Sequence, residues 1–388
     1  MTIYQEVAEK MLYSKNPLII LAPSMGLDIP MSGLVMKKIF ESQGKKTQIV
    51  MPVESLSYKE HYALDGILSE INDIEAVDTW NQKVVINLDV SKTKIHEFSY
   101  EIQNGQLKIH LTTSGSYFAA GSITTEYVNP FDLVIILGAQ SLNDLGNFYN
   151  TQFKFLSSTP IINIDIDEAN TRFGTINMVD NNATAVSEIV YGLMCDVTNT
   201  SKNILDEKIA TMLLAGLIHK TTYFKTGNVT SKALDMGSKL IAAKAKKDEI
   251  VKTLYQYTAE TLKISGKILA NIIHDKDYKL IFSSISRDDI WPYKLEPSNV
   301  IKVIADFVAF IKDVDSFVLF YEDSPSVIQC YIKTSKSVNF TDFGKAVTYG
   351  GSSGLVSYTI SGIELDEAQA SVLEAIREKA VTVISCPV

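Results

Sequence analysis

The sequence predicts an α/β protein, with a doubly wound, mainly parallel sheet joined by a helical linker to a smaller α+β domain. Three observations carry this. Short all-apolar runs alternate with amphipathic helical segments through the first half, the pattern of parallel strands buried on both faces. A long helical stretch with a charged middle follows. Beyond it, strands and helices return with a different spacing. At 388 residues the chain exceeds one average core, so two domains are expected.

The elements follow in order. Residues 2–14 place Ile3, Val7, Met11 and Leu12 at helical spacing. Residues 18–22 form an apolar strand, 29–43 a helix closed by Gly44, and 48–53 the next strand, which opens a doubly wound sheet. Residues 84–89 read as the third strand. Residues 94–113 alternate around Asn104-Gly105, a two-residue hairpin turn. This insert, residues 84–125, either covers a cleft or forms an oligomer contact. Residues 132–137 and 160–165 are further buried strands, and 183–194 and 206–218 are helices. Residues 231–270 read as nearly continuous helix, its charged stretch 244–249 suiting a linker. The second domain has strands at 280–285, 316–321 and 327–334 and helices at 298–311 and 365–379. The expected division is 1–235, a linker at 236–274, and 275–388.

Composition narrows the function. Hydrophobic residues make up 46% and charged residues 21%, as in ordinary globular chains. A net charge of −9 argues against a surface built for nonspecific duplex DNA, which needs a basic footprint. Cys195, Cys330 and Cys386 stand far apart and read as buried small hydrophobes in a reducing compartment. No apolar run reaches the ~18 residues of a membrane span, and Glu6, Glu9, Lys10 and Lys15 argue against a signal peptide. A cytoplasmic protein is expected, with no membrane partner. No two of the five histidines have metal-ligand spacing.

The most informative stretch is Ile161-Ile-Asn-Ile-Asp165-Ile-Asp167-Glu-Ala-Asn170-Thr-Arg-Phe173-Gly174. It reads as a buried strand delivering polar residues at its carboxyl end, then a loop and a turn. It resembles the third motif of the DHH phosphoesterase family, "IDHH…N…FG", with Ile166 and Asp167 where the two histidines stand. Other windows resemble that family in order. After the first strand, Ala22 takes the family's histidine position, Gly26 its first aspartate, and only Asp28 is kept; Ser32 keeps a small residue near the helix start. The strand 132–137 ends at Gly138 where the family has a bridging aspartate. Gly216-Leu-Ile-His219-Lys220-Thr-Thr-Tyr-Phe224 resembles the fourth motif, with Lys220 in place of a ligand aspartate. In the second domain, Thr334-Ser335-Lys336-Ser337 and Gly350-Gly351-Ser352-Ser353-Gly354 resemble the strand and glycine loop that hold substrate phosphates. The glycine loop reads equally as an anion-binding nest or as a plain turn.

The resemblance covers nearly the whole chain and implies a DHH–DHHA1 architecture. Active members of that family hold two divalent metals, usually manganese, which activate water and neutralise phosphoryl charge. Here most ligand positions are lost, so no confident catalytic residue, no tightly bound metal and no cofactor are expected, with Mn²⁺ as the alternative. The residual positions are Asp28, Asp165, Asp167, Lys220 and His219. What the resemblance then implies is a degenerate phosphoesterase homologue whose interdomain cleft binds a nucleotide, a short single-stranded nucleic acid or a protein partner. Lys336, Ser337 and residues 350–354 would hold phosphate. The partner would be a second copy or an active paralogue. The alternative is an active metal-dependent phosphodiesterase or exonuclease with a rearranged site. Lys220 is expected within about 4 Å of Asp28, Asp165 or Asp167, substituting for metal charge. His219 and the Arg287-Asp288-Asp289 run read more simply as structural.

Overall fold

A parallel sheet is built from β1 (Pro17–Leu21), β2 (Gln48–Pro52), β3 (Glu75–Val77), β8 (Leu133–Leu137), β9 (Ile161–Asp165) and β10 (Ile176–Val179), in the order β10-β9-β8-β1-β2-β3. Every pairing in it is parallel. The computed structural model describes residues 2–23, 26–52, 69–77, 83–91, 93–115, 123–128, 130–198, 204–255, 257–293, 300–301, 304, 311–334, 347–349 and 355–384. The chain winds outward from β1 to β3, then returns to the other side of β1 at β8. The β1/β8 boundary is therefore the topological switch point, where open α/β sheets bind their ligands.

Successive residues of the central strands feed two different cores. Leu18 and Ile20 of β1, with Val134 and Ile136 of β8, pack on one face with Phe148 and Leu156 of helix Asn147–Ser158. Ile19, Leu21, Ile135 and Leu137 pack on the other face with helices α1 (Ile3–Tyr13), α2 (Asp28–Ser42), α4 (Val186–Thr198), α5 (Glu207–Lys220) and α6 (Ser231–Ala242); Asn147–Ser158 is α3. Thr2 caps α1 in a capping box with Gln5. Only Val7 and Met11 of that helix are buried, while Ile3 and Leu12 stay exposed. Asp132 ties the strand starts together, accepting from Ser14 Oγ (2.6 Å), Lys15 N (2.7 Å) and Asn16 N (3.1 Å).

Two expectations change. The run at 84–89 is not the third strand of this sheet. As β4 (Lys83–Leu88) it pairs antiparallel with β7 (Ile123–Val128) in a separate ribbon, and short β3 takes the sheet position. An apolar run says that a segment extends, not which strand it joins. Residues 231–270 are three helices, α6, α7 (Lys247–Tyr255) and α8 (Ala259–Ala270), not one. Lys244 sits at φ +68° and ends α6, with Ala245 N bonded to Leu240 O (3.1 Å) and Lys244 N to Ile241 O (2.9 Å). That is a Schellman stop without the glycine that usually signals it.

The second sheet has the order β11 (Ile273–Asp275), β12 (Leu280–Ser286), β13 (Ser316–Ser324), β14 (Val327–Thr334), β16 (Leu355–Ser361) and β15 (Val347–Tyr349). Only β12 and β13 are parallel neighbours. One face packs on helix α9 (Leu365–Ile384) through Ala368, Val372 and Leu373; the other packs on Ile264 and Ile268 of α8. Most of the expected helix at 298–311 lies outside the described residues, although Val300, Ile301 and Ile304 are buried in that second core. Cys330 is buried as expected, whereas Cys195 is exposed on α4; Cys386 lies outside the described residues. Among the described residues no helix is long and apolar enough to cross a membrane.

Candidate functional site

The carboxyl ends of β1, β8 and β9 lie on one edge of the sheet, because these strands are parallel neighbours. Each delivers residues singled out above. Asp28 opens α2 just after β1 and is buried. Its carboxylate accepts from Val186 N (2.8 Å), Ser187 N (2.9 Å) and the Ser187 hydroxyl. These are the first two amides of α4, so Asp28 caps a neighbouring helix and faces its positive end. Burial pushes the Asp28 carboxyl up from its usual range, against the Ser187 hydroxyl and the Lys220 charge, which pull it down. Gly216 of α5 lets the helices meet here: a Cβ there would strike Ser187 Oγ and lie 3.2 Å from Asp28 Cα.

Gly138 closes β8 at φ +75°. A Cβ at this position would collide with Ile29 Cδ1 and lie 2.8 Å from Ile29 Cγ1. An aspartate at the position where the resemblance puts a bridging carboxylate would have to adopt strained left-handed backbone and displace the buried Ile29 side chain.

Asp165 ends β9 and belongs to a different hydrogen-bonded group. It accepts from Ile166 N (2.8 Å) and Asn170 Nδ2 (2.9 Å). Asn170 also donates to Ala139 O (2.8 Å) and accepts from Asn163 Nδ2 (2.8 Å), while Asn163 reaches Asn177 Oδ1 (3.2 Å). Burial raises the Asp165 carboxyl, opposed by the Asn170 and Ile166 hydrogen bonds and reinforced by the Asp167 charge. Asp167 is half-buried and accepts from Gln140 Nε2 (2.8 Å) and Ala169 N (2.8 Å). The Asn163–Asn170–Asn177 chain was not anticipated; its seven-residue spacing was the available signal.

Lys220 ends α5 and is half-buried. The expected pairing does not occur: among the described residues Lys220 forms no ion pair within 4.0 Å. Each carboxylate is already satisfied, Asp28 by α4, Asp165 by its own loop and Asp167 by that loop and Gln140, so none requires the lysine. His219 is tied to the loop after β1, its Nδ1 facing Leu27 N at 3.4 Å. Burial and then the Lys220 charge lower its pKa to about 4, so it is neutral at neutral pH. Directly after Lys220, Thr222, Tyr223 and Phe224 all have positive φ, at 46°, 60° and 61°. Left-handed backbone costs non-glycine residues about 1–2 kcal/mol each. The turn is held by Tyr223 N to Ile218 O (2.8 Å) and Phe224 N to Thr221 Oγ1 (2.9 Å). Lys336, Ser337, Gly350, Gly351, Ser352, Ser353 and Gly354 lie outside the described residues.

Against this geometry, the relatives can be weighed. No family model matches the sequence. Over 221 residues the chain is 24% identical to the bifunctional oligoribonuclease and PAP phosphatase NrnA of Thermus thermophilus, covering 56% of this chain and 64% of that protein. The Bacillus subtilis protein of the same name is 23% identical over 216 residues, 55% of this chain and 66% of its own length. The chain thus spans slightly less than two thirds of these curated relatives. An exopolyphosphatase-related protein from Bacteroides fragilis has the same fold, with a TM-score of 0.68 at 14% identity over 99% of this chain and 98% of that one. These likenesses support the resemblance to the DHH family.

Within the DHH family frame, the donor set does not fit a two-metal centre. Asp28 has both oxygens committed to α4, Gly138 is backed by Ile29, Ile166 offers no donor and Lys220 offers a cation. Among the described residues no group of three or more His, Cys, Asp or Glu is placed to hold a metal ion. Two metals need several charged donors in a preformed shell.

Proposed function

We propose that this chain is a phosphoesterase homologue that binds a nucleotide or short single-stranded nucleic acid without hydrolysing it by two-metal chemistry. Gly138 carries the reading. The switch point keeps its ligand-accepting position in the fold, but it carries a left-handed glycine packed on Ile29 where the resemblance implies a bridging carboxylate. Lys220 supplies positive charge at this edge, and Lys336, Ser337 and residues 350–354 are the proposed phosphate contacts from the smaller domain. The names of the NrnA relatives, oligoribonuclease and PAP phosphatase, favour a phosphate-bearing nucleotide as ligand class. A cytoplasmic setting belongs to the same proposal. So does the three-part division at residues 235 and 274. Ile250 packs in the first core and Ile264 in the second, which favours placing the changeover between Tyr255 and Thr258.

A second reading, an active phosphodiesterase or exonuclease with a rearranged site, has one observation in its favour. Asp165 and Asp167 lie together at the carboxyl end of β9, close enough for the charge of Asp167 to raise Asp165. A pair of assays separates the two readings. A labelled short oligoribonucleotide should bind in EDTA and bind several-fold more weakly to Lys220→Ala. Bis-p-nitrophenyl phosphate with Mn²⁺ should show no turnover above buffer. Manganese-dependent turnover abolished by Asp165→Asn would establish the second reading. Absence of oligonucleotide binding would remove the first.

A further inference from the structure

The ribbon of β5 (Thr93–Gln103) and β6 (Gln106–Gly115) is an amphipathic hairpin whose apolar face has no cover among the described residues. It turns through Asn104 (φ +50°) and Gly105 (φ +74°), and the two strands pair only with each other among the described residues. Register sets Phe98 opposite Leu111, Tyr100 opposite Ile109 and Ile102 opposite Leu107. Side chains opposite one another share a face, so these six form one apolar surface. The intervening positions, Ser99 with His110 and Glu101 with Lys108, form the polar face. Yet Phe98 is 63% exposed, Tyr100 67%, Ile102 75% and Leu107 58%. Two-stranded hairpins are marginal in water unless their apolar face packs on something.

From this we infer that the apolar face of the β5–β6 ribbon is a self-association surface that takes a second copy of this chain, face to face. This inference is independent of the nucleotide reading. Area supports that occupant. The exposed side chains present roughly 500 Å², more than scattered surface hydrophobics explain. Two such faces together bury about 1,000 Å², the lower bound of a specific interface. Charge supports it as well. The chain carries −9 overall, so two copies repel each other generally. In residues 93–115, however, Lys94 and Lys108 balance Glu97 and Glu101, so copies meet here without like-charge repulsion. A neutral ribbon likewise offers no basic face for an anionic membrane or nucleic acid.

Sedimentation velocity on the full chain tests this. Wild-type protein should be dimeric at micromolar concentrations. Ile102→Glu should raise the dimer dissociation constant at least about tenfold, the loss expected from one buried apolar side chain. It should leave the melting temperature of the monomer unchanged. Leu107→Ser, a milder change on the same face, should shift the equilibrium in the same direction, while Ser99→Arg on the polar face should leave the dimer intact. A wild-type chain that stays monomeric up to about 100 μM would overturn the inference, as would a dimer indifferent to Ile102→Glu. A monomer that Ile102→Glu destabilises would point to an intramolecular cover, and would overturn it too.

Discussion

At Asp28, which the resemblance alone implies to be a retained ligand position, the carboxylate gives both oxygens to the amino end of α4. Removing it strands two buried amides and a hydroxyl. Asp28→Ala should therefore lower unfolding stability by about 2–3 kcal/mol, the cost of a lost cap plus unsatisfied buried donors. Urea denaturation should give the same loss in Mn²⁺ and in EDTA; a loss that appears only with Mn²⁺ would make Asp28 a ligand. His219 has a different signature. Its folded pKa of about 4 lies below the ordinary histidine value of 6.5, so the folded state resists its protonation. A depressed pKa contributes stability that is full above 6.5 and is lost as pH falls towards 4. The contribution is on the order of 3 kcal/mol. Urea midpoints across that window should fall in wild type and fall distinctly less in His219→Gln. Equal slopes would mean that His219 does not titrate in the folded protein at the expected place.

At the scale of elements, the contact of α5 with α2 and α4 depends on Gly216. Gly216→Ala should cost about 2 kcal/mol or more by overpacking against Ser187 and Asp28, despite the better helix propensity of alanine. Gly266→Ala in α8, where a Cβ meets nothing within 4 Å, should instead stabilise by about 0.5–1 kcal/mol. Thermal melts of the two variants check both signs; a neutral Gly216→Ala would mean the helices have room to separate. The same elements show what the sequence makes legible. α2 was readable because Gly44 sits at its left-handed C-terminal position, φ +74°, and the hairpin because Asn104-Gly105 demands a tight turn. The stop after α6 was hidden because a lysine occupies the left-handed position, and β3 because three residues carry no periodicity. The candidate site divides similarly. The carboxylates could be located from strand ends, but hydrogen-bond satisfaction by α4 and by the asparagine chain, not charge, decides their partners. No pattern in one dimension announces that, and so the ion pair that charge alone predicts for Lys220 does not form among the described residues.

Across the whole molecule, a doubly wound sheet keeps its switch point, and on the proposed reading the residues around it serve packing in place of coordination. Ile29 packs against Gly138, α4 draws in Asp28, and Lys220 carries positive charge where the family resemblance implies an aspartate. The central claim is that protein contacts replace the two-metal centre. Bound manganese tests it most directly: the purified chain is stripped with chelator, equilibrated with Mn²⁺, desalted and analysed for metal, with melting temperatures recorded in Mn²⁺ and in EDTA. The chain should retain well under one equivalent of manganese and melt at the same temperature in both conditions. Two retained equivalents, with a melting temperature raised by Mn²⁺, would contradict that claim.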